Sequence, residues 1–379
     1  MIPFNKPYLT GKEIEYINKA NSSHKLTGNG YFTSKCKKWL EINTSTNSAL
    51  LTHSCTAALE MAAILADIKK GDEIIMPSYT FVSTANAFVL RGAKPVFVDI
   101  DPNTLNMDWT LIEGQINKKT KAIVPVHYAG FGCDMDEIIK IAKKYNLLII
   151  EDAAQGVMSK YKGRALGSIG DLGCYSFHET KNIISGEGGA ILINNKKLKE
   201  RAEIISEKGT NRNLFNKGQI DKYSWLDIGS SFLPSELTAA FLFAQMEEAK
   251  KITKERLKIW NYYKNGLKNI ENEGLISIPK LQKYTEHNGH LFYLIHKNNF
   301  ERDLFIKKMY KKGIMVVFHY IPLHISPYAK NKLNSKKQTL IFTESLYDRI
   351  SRIPLWLGLN KEYVLKSVIE SLYEIKKEN

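Results

Sequence analysis

Between residues 48 and 193 the chain repeats one theme, a short apolar run followed by a helical pattern and then another apolar run. Ser48-Ala49-Leu50-Leu51, Glu73-Ile74-Ile75-Met76, Lys94-Pro95-Val96-Phe97-Val98, Ala122-Ile123-Val124-Pro125-Val126 and Leu147-Leu148-Ile149-Ile150 read as strands. Helical stretches fall near 56–65, 81–91, 108–116 and 135–145. The strand runs do not alternate apolar with polar residues, so both of their faces must be covered. That is the condition of a central, mainly parallel sheet in an α/β domain, whose ligands sit beyond the carboxyl ends of the strands. Two further runs, at 173–177 and 190–193, complete a seven-stranded sheet.

Past residue 235 the pattern changes. A helical region near 235–268 leads into strands at 291–295 and 315–319 and helices at 301–311 and 361–376, which reads as a smaller α+β unit. A chain of 379 residues exceeds what one small core organises. The division expected is an N-terminal arm and large α/β domain over 1–249 and a C-terminal α+β domain over 250–379.

Charge and cysteines narrow the function classes. The formal net charge is +15, but the lysines are spread along the chain, many beside Asn and Ile, as in Asn194-Asn195-Lys196-Lys197. A diffuse positive field suits a small diphosphate-bearing substrate better than nucleic acid. Cys36, Cys55, Cys133 and Cys174 lack any C-x-x-C spacing and read as reduced thiols of a cytoplasmic protein. No apolar run reaches membrane-spanning length, and Met1-Ile2-Pro3-Phe4-Asn5-Lys6 lacks the apolar core of a signal peptide. The expectation is a cytoplasmic protein with no membrane partner.

The chemistry concentrates at strand ends. Ile149-Ile150-Glu151-Asp152-Ala153-Ala154-Gln155 is an apolar strand ending on acids, and Tyr175-Ser176-Phe177-His178-Glu179-Thr180-Lys181-Asn182 is a strand ending on a hydroxyl with a lysine five residues on. A buried acid and one lysine are what pyridoxal phosphate (PLP) chemistry needs: the amine links to the aldehyde, and the acid keeps the pyridine nitrogen protonated. Taken alone, Asp152 equally suits a turn or N-cap, Gln155 a turn, and Lys181 a solvated surface. Cys55 and Thr56 open a helix after a strand, where free N–H groups suit a phosphate, and Ser176 offers a further hydroxyl. Phe81 follows the strand ending at Pro77 and offers either an aromatic platform or a core side chain. His319, Tyr320 and His324 cluster around a proline turn and suit a sugar or phosphate, or simply end a strand. No third ligand accompanies the histidines, so no metal is expected.

These segments resemble the DegT/DnrJ-type sugar-nucleotide aminotransferases of PLP fold type I. The likeness runs through Met76-Pro77-Ser78-Tyr79-Thr80-Phe81-Val82-Ser83-Thr84-Ala85-Asn86-Ala87-Phe88, Val124-Pro125-Val126-His127-Tyr128-Ala129-Gly130, Glu151-Asp152-Ala153-Ala154-Gln155-Gly156-Val157-Met158-Ser159 and Ser176-Phe177-His178-Glu179-Thr180-Lys181-Asn182. The resemblance implies Lys181 as the catalytic, cofactor-linked lysine, Asp152 on the pyridine nitrogen and Gln155 on the ring oxygen. It places Phe81 on the ring, Cys55, Thr56 and Ser176 at the phosphate, and Tyr31, His319, Tyr320 and His324 toward substrate. It further implies a homodimer with shared active sites, in which 229–232 reaches the other subunit's phosphate. Ser231 stands where many relatives carry asparagine. The implied reaction moves an amino group from L-glutamate to C4 of dTDP-4-oxo-6-deoxy-D-glucose, giving dTDP-4-amino-4,6-dideoxy-D-galactose for surface polysaccharide. The 4-amino gluco epimer, a 3-amino sugar and a catalytically silent sugar-nucleotide-binding regulator remain as alternatives.

Overall fold

The computed structural model describes residues 1–333 and 339–378. In chain order the first strands are β1 (Ser48–Thr52), β2 (Glu73–Pro77), β3 (Lys94–Val98), β4 (Thr120–Ile123) and β5 (Leu148–Asp152). A ribbon of β6 (Lys160–Tyr161) and β7 (Arg164–Ala165) precedes β8 (Leu172–Ser176) and β9 (Gly189–Ile193). Seven of these form one sheet in the order β1-β9-β8-β5-β4-β2-β3, and every pair is parallel except the two that include β9. One edge of the sheet therefore collects the carboxyl ends of six strands and the first residue of β9. The order also reverses at β2, which has β3 on one side and β4 on the other, and such a switch point opens a crevice for ligands.

Alternation of side chains splits the core into two layers. Ala49, Leu51 and Ile75 face one cluster with Phe32, Leu40 and Ile138, while Leu50, Ile74 and Met76 face another with Leu59, Ala62 and Phe88. Helices thus cover both faces, and every residue of β1, β8 and β9 is buried. The helix Met135–Tyr145 shows how the sequence specifies this. Met135, Ile138, Ile141 and Ala142 make its buried stripe, Asp136 and Glu137 sit in its first turn, and Lys143 and Lys144 in its last. It stops at Asn146, whose φ of 53° is left-handed.

The C-terminal residues build a second sheet from β10 (Ile276–Ser277), β12 (Phe292–His296) and β13 (Ile350–Ile353), all antiparallel, while β11 (Thr285–Glu286) pairs back onto β6. Trp260, Tyr263, Phe292 and Phe305 form its core, which is continuous with Tyr79, Tyr128 and Phe131 of the first unit. The first residues of the chain join here too. Ile2 N donates to Gly313 O (2.7 Å), Met315 N to Ile2 O (2.9 Å), and Trp356 Nε1 to Pro3 O (3.1 Å). Among the described residues no helix is long and apolar enough to cross a membrane.

Several elements differ from the sequence expectation. Residues 108–116 form two 3-10 turns, Trp109–Leu111 and Glu113–Gln115, because the Asp108 carboxylate takes the Thr110 N–H (2.9 Å) and Gly114 disfavours propagation. The expected helix near 235–268 is two, Glu236–Glu247 and Ala249–Asn272, broken where Glu248 leaves helical geometry (φ −96°, ψ 5°). Residues 315–319 are no continuous strand. Met315 bonds Ile2 and Val317 bridges Arg352, so the extended segment divides its partners between two neighbours.

Candidate active site

Asp152 ends β5 at the ligand edge of the sheet with only 6% of its surface exposed. A carboxylate there needs donors or a cation. Thr84 Oγ1 donates to Oδ2 at 2.7 Å and Ala154 N to Oδ1 at 3.1 Å. Thr84 has one proton and spends it on the carboxylate, so its 2.8 Å contact with Thr80 Oγ1 has Thr80 as donor. Two threonines thus fix the acid in place, one on the loop leaving β2 and one on the helix Val82–Val89.

Lys181 follows β8 on a loop closed by backbone bonds from Ser185 N to Phe177 O (2.7 Å) and from Glu179 N to Gly186 O (2.8 Å). Its neighbour Asn182 ties the loop to the C-terminal unit through Asn288 O (3.0 Å) and His290 Nδ1 (3.0 Å). Asn5 Nδ2 from the N-terminal arm donates to Glu179 O on the outer side (3.1 Å). The half-buried Lys181 amine makes no ion pair with any described residue. Burial holds its pKa below the ordinary 10.5; the Asp152 carboxylate opposes that, and Arg352 adds to it. A lowered amine pKa increases the fraction of free nucleophile.

Gln155 lies on the turn after β5. Its Oε1 accepts Ala129 N–H at 2.6 Å and its Nε2 donates to Tyr320 Oη at 2.9 Å, which leaves one Nε2 proton uncommitted. Ala129 adopts φ 58°, a left-handed turn that aims its N–H at the glutamine. The Tyr320 ring lies 3.7 Å from His319 and 6.2 Å from Phe81, and Phe81 itself is 57% exposed over the edge. His319 Nδ1 meets Tyr128 Oη at 2.6 Å, and burial together with the Arg352 charge keeps the imidazole neutral, well below its usual range.

The turn after β1 starts the helix Cys55–Leu65. Ser54 Oγ caps Ala57 N at 3.0 Å, and the first N–H groups, those of Cys55 and Thr56, have no acceptor within the helix. Thr56 Oγ1 meets Ser83 Oγ at 2.8 Å, so the first turns of two helices present hydroxyls side by side. Ser176 is buried and lies opposite Gly189 in register. A Cβ at Gly189 would stand 2.4 Å from the Ser54 carbonyl carbon, so only glycine lets β9 approach this turn.

Lys181, Asp152, Gln155, Phe81, Cys55, Thr56, Ser176, His319 and Tyr320 therefore gather at one edge. His324 belongs to a structural tie: its Nδ1 meets Ser78 Oγ (2.7 Å) and its Nε2 Glu344 Oε1 (3.1 Å), which engages both ring nitrogens. Tyr31 is 65% exposed at the start of the helix Tyr31–Thr44, with its ring against Phe32 and Lys35. Ser231 is exposed and bridges Glu207, one residue from Phe232, whose carbonyl accepts His53 N–H (2.9 Å). Thr80, Ser83 and Thr84 were missed in the sequence, although Ser83-Thr84 directly follows a strand and Phe81. Arg352 was missed as well, and its signal is a lone charge within the apolar run Ile350-Ser351-Arg352-Ile353-Pro354-Leu355-Trp356.

Residues 7–373 match the DegT/DnrJ/EryC1/StrS aminotransferase family. The chain is 33% identical to GDP-perosamine synthase of Escherichia coli O157:H7, with 98% of each covered. It is 32% identical to the spore coat polysaccharide biosynthesis protein SpsC of Bacillus subtilis, covering 99% of this chain and 97% of that one. Among solved structures, the PMP-form of the sugar aminotransferase Spr1654 from Streptococcus pneumoniae superposes with a TM-score of 0.91 at 26% identity, covering 99% of this chain and 100% of that one.

Proposed function

The chain belongs to the DegT/DnrJ/EryC1/StrS aminotransferase family, whose members are PLP-dependent sugar aminotransferases, and from that premise we propose that it moves an amino group from L-glutamate to C4 of dTDP-4-oxo-6-deoxy-D-glucose. The product in this reading is dTDP-4-amino-4,6-dideoxy-D-galactose, made in the cytoplasm for a surface polysaccharide.

The observation that carries the reading is the grouping of an unpaired, pKa-lowered Lys181 with Asp152 and Gln155 at the sheet edge. The residues fit PLP in each part. Lys181 offers a free amine, Asp152 has lone pairs left for a ring N–H, and Gln155 has an Nε2 proton left for the ring oxygen. The unsatisfied N–H groups of Cys55 and Thr56, with the Ser176 hydroxyl, suit the phosphate, and Phe81 suits the ring face. Bound there, PLP supplies the carbonyl that links to amines and the electron-withdrawing ring that stabilises charge at the donor's Cα.

In this reading Lys181 Nζ takes the proton from Cα of glutamate, and in the second half-reaction it delivers a proton to C4 of the sugar. The donor leaves as its 2-oxo acid and the sugar ketone becomes an amine, so the exchange balances. Asp152 holds the proton on the ring nitrogen through both halves, and Thr84 keeps the carboxylate oriented. In this reading the sugar binds beside Tyr320, which Gln155 holds at 2.9 Å and whose ring lies 3.7 Å from that of His319.

The parts of the reading that concern assembly rest on exposed surface. Tyr223, Trp225, Leu226 and Ile228 are 49%, 81%, 57% and 45% exposed beside Ser231, an apolar strip that a second copy would cover. We read the chain as two domains meeting near residue 250, and as a homodimer in which Ser231 adds to the partner's phosphate site. Sedimentation of an active monomer would overturn the dimer.

The decisive experiment is turnover with glutamate and dTDP-4-oxo-6-deoxyglucose, followed by assignment of the C4 configuration from NMR coupling constants. The likeness to a GDP-perosamine synthase favours one second substrate, a GDP-linked 4-oxo-6-deoxyhexose, which is assayed in parallel. Faster turnover of the GDP sugar, or an equatorial product amine, would displace the dTDP-galacto reading.

A further inference from the structure

At β11 the chain crosses from the C-terminal unit onto the first unit before it enters β12. Glu286 pairs with Lys160 of the β6 ribbon, and the residues that follow it, Asn288-Gly289-His290, bond to both the Gln155 turn and the lysine loop. Asn288 spends both Nδ2 protons on that turn, on Gln155 O and Val157 O at 2.8 Å each. Its backbone oxygen accepts Asn182 Nδ2 at 3.0 Å. One residue, 1% exposed, therefore joins the turn that carries Gln155 to the neighbour of Lys181. Arg256 clamps the same segment, with Nε on Gly289 O at 3.0 Å and Nη2 on His290 O at 2.6 Å. Bonds from an ionised donor are the stronger kind, so this buried guanidinium fixes the two carbonyls firmly.

The same bonds fix the state of His290. Asn288 O can only accept, so the Asn182 amide turns Nδ2 toward it and Oδ1 toward His290. Oδ1 can only accept in turn, so its 3.0 Å contact places the proton on His290 Nδ1. Burial, with the charges of Lys181, Arg256 and Arg352, holds the imidazole well below its usual range, so the ring is neutral and Nε2 carries no proton. Asn182 is buried, and its two amide atoms find their partners 106 and 108 residues away. The anchor thus grips the residue beside the lysine and leaves the lysine side chain out of the tie.

We propose that Asn182 is the positioning residue of Lys181, held by Asn288 O and His290 Nδ1–H so that the lysine backbone stays in place while its side chain changes partners. The inference rests on the aminotransferase reading, in which Lys181 first holds the cofactor and then, released, carries a proton. Those two tasks need a side chain that swings on a Cα that does not. The bonds from Ser185 N to Phe177 O and from Glu179 N to Gly186 O close the loop on itself, but they do not set it against Gln155. Asn182 and Asn288 do, because two bonds of 3.0 and 2.8 Å lead from one turn to the other. A misplacement of about 1 Å in a reacting group costs on the order of a hundredfold in rate, and the tie guards against an error of that size.

The test uses full-length protein, unchanged and as Asn182→Ala, His290→Asn and His290→Gln, with urea midpoints to verify folding. Cofactor-free protein isotope-labelled at the histidine ring nitrogens reports the tautomer by NMR without any substrate. The ring whose signals vanish in His290→Asn should carry its proton on Nδ1, and Asn182→Ala should release it toward the Nε2-protonated form. With PLP and both substrates, Asn182→Ala should lower kcat of each half-reaction about tenfold to a hundredfold and leave each KM within about twofold. The isotope effect of deuterium at Cα of glutamate should rise, because proton transfer by a displaced lysine becomes the slow step. His290→Asn puts an amide N–H where Nδ1–H stood and should keep its rate within about threefold, whereas His290→Gln, one carbon longer, should fall with Asn182→Ala. An Nε2-protonated His290 in the unchanged protein would overturn the proposal. His290→Asn as slow as His290→Gln would overturn it too, since the ring would then act on the reactants itself. So would an unaltered rate and isotope effect in Asn182→Ala; should that variant not fold, the two His290 variants decide alone. Failure of the glutamate or dTDP reading would instead show as inactive unchanged protein whose His290 signals still respond to Asn182→Ala.

Discussion

Replacing Thr84 by valine removes a hydroxyl while keeping the side chain's volume, so its effect can be worked out from hydrogen bonds without a cavity term. Thr84 is fully buried and donates to Asp152 Oδ2 at 2.7 Å, while accepting from Thr80 Oγ1 at 2.8 Å. Loss of a hydrogen bond to an ionised acceptor costs about 1.5–3 kcal/mol, and the Thr80 hydroxyl left without an acceptor costs about 1–3 kcal/mol more. The single variant should therefore lose about 2.5–6 kcal/mol, a large share of the stability of a typical domain. The double variant Thr80→Val/Thr84→Val removes the orphaned donor and should recover about 1–3 kcal/mol of that loss. Urea unfolding of the cofactor-free protein measures both, and equilibrium dialysis of PLP reads whether a freed Asp152 binds it less well. A single-variant loss below about 1 kcal/mol, or a double variant no more stable than the single, would refute the donor direction and the anchoring role assigned to this pair.

Lys181→Ala should abolish turnover and the absorbance band of lysine-linked PLP while leaving the unfolding midpoint near that of the unchanged protein; near-normal transamination by a clean preparation would remove the lysine from its role. Asp152→Asn should slow each half-reaction by more than about tenfold with the fold intact, because a neutral amide holds the ring-nitrogen proton poorly, and stopped-flow rates of the two halves decide this. The rate at which the cofactor-free protein takes up PLP should rise with pH as Lys181 loses its proton, reaching half its maximum below 10.5 because burial disfavours the charged amine. Asp152→Asn removes an anion that favours the protonated amine and should move that midpoint down, whereas Arg352→Gln removes a cation and should move it up. A midpoint at or above that of a solvated lysine would contradict the buried environment.

Much of this site was legible because its principal residues stand next to patterns that a sequence displays. Asp152 ends an apolar strand, Lys181 follows another at a short interval, and Cys55 and Thr56 open a helix directly after a strand, so sheet topology alone brings them to one edge. What supports them was not legible. Thr84 reaches Asp152 across 68 residues and Gln155 reaches Tyr320 across 165, and no local periodicity reports such pairings. Arg352 was hidden for a related reason. β13 is only four residues long and finds its partner, β12, more than fifty residues earlier, so neither the strand nor its one charge stood out. The turns at 109–115 misled in the opposite direction, since their composition suits a helix until the Asp108 side chain competes for the backbone.

The N-terminal arm has a consequence for how the molecule is made. Ile2 is held by the backbone at Gly313 and Met315, Pro3 by Trp356, Phe4 by Arg352, and Asn5 by Glu179 on the lysine loop. Residues 2–4 thus wait for residues 313–356 before they find their places, and their contacts close loops of more than three hundred residues, whereas the Asn5 contact spans 174. A ribosome-bound chain that already has the whole seven-stranded sheet would still lack the wall carrying Arg352, so residues 2–4 of the arm would have no place to dock. Loops of that length close slowly relative to local structure, so the cleft should be the last part of the molecule to mature, after the sheet that positions Asp152. Chains stalled before residue 352 would hold the lysine and the acid on the sheet yet lack the Arg352 and Phe4 contact beside them.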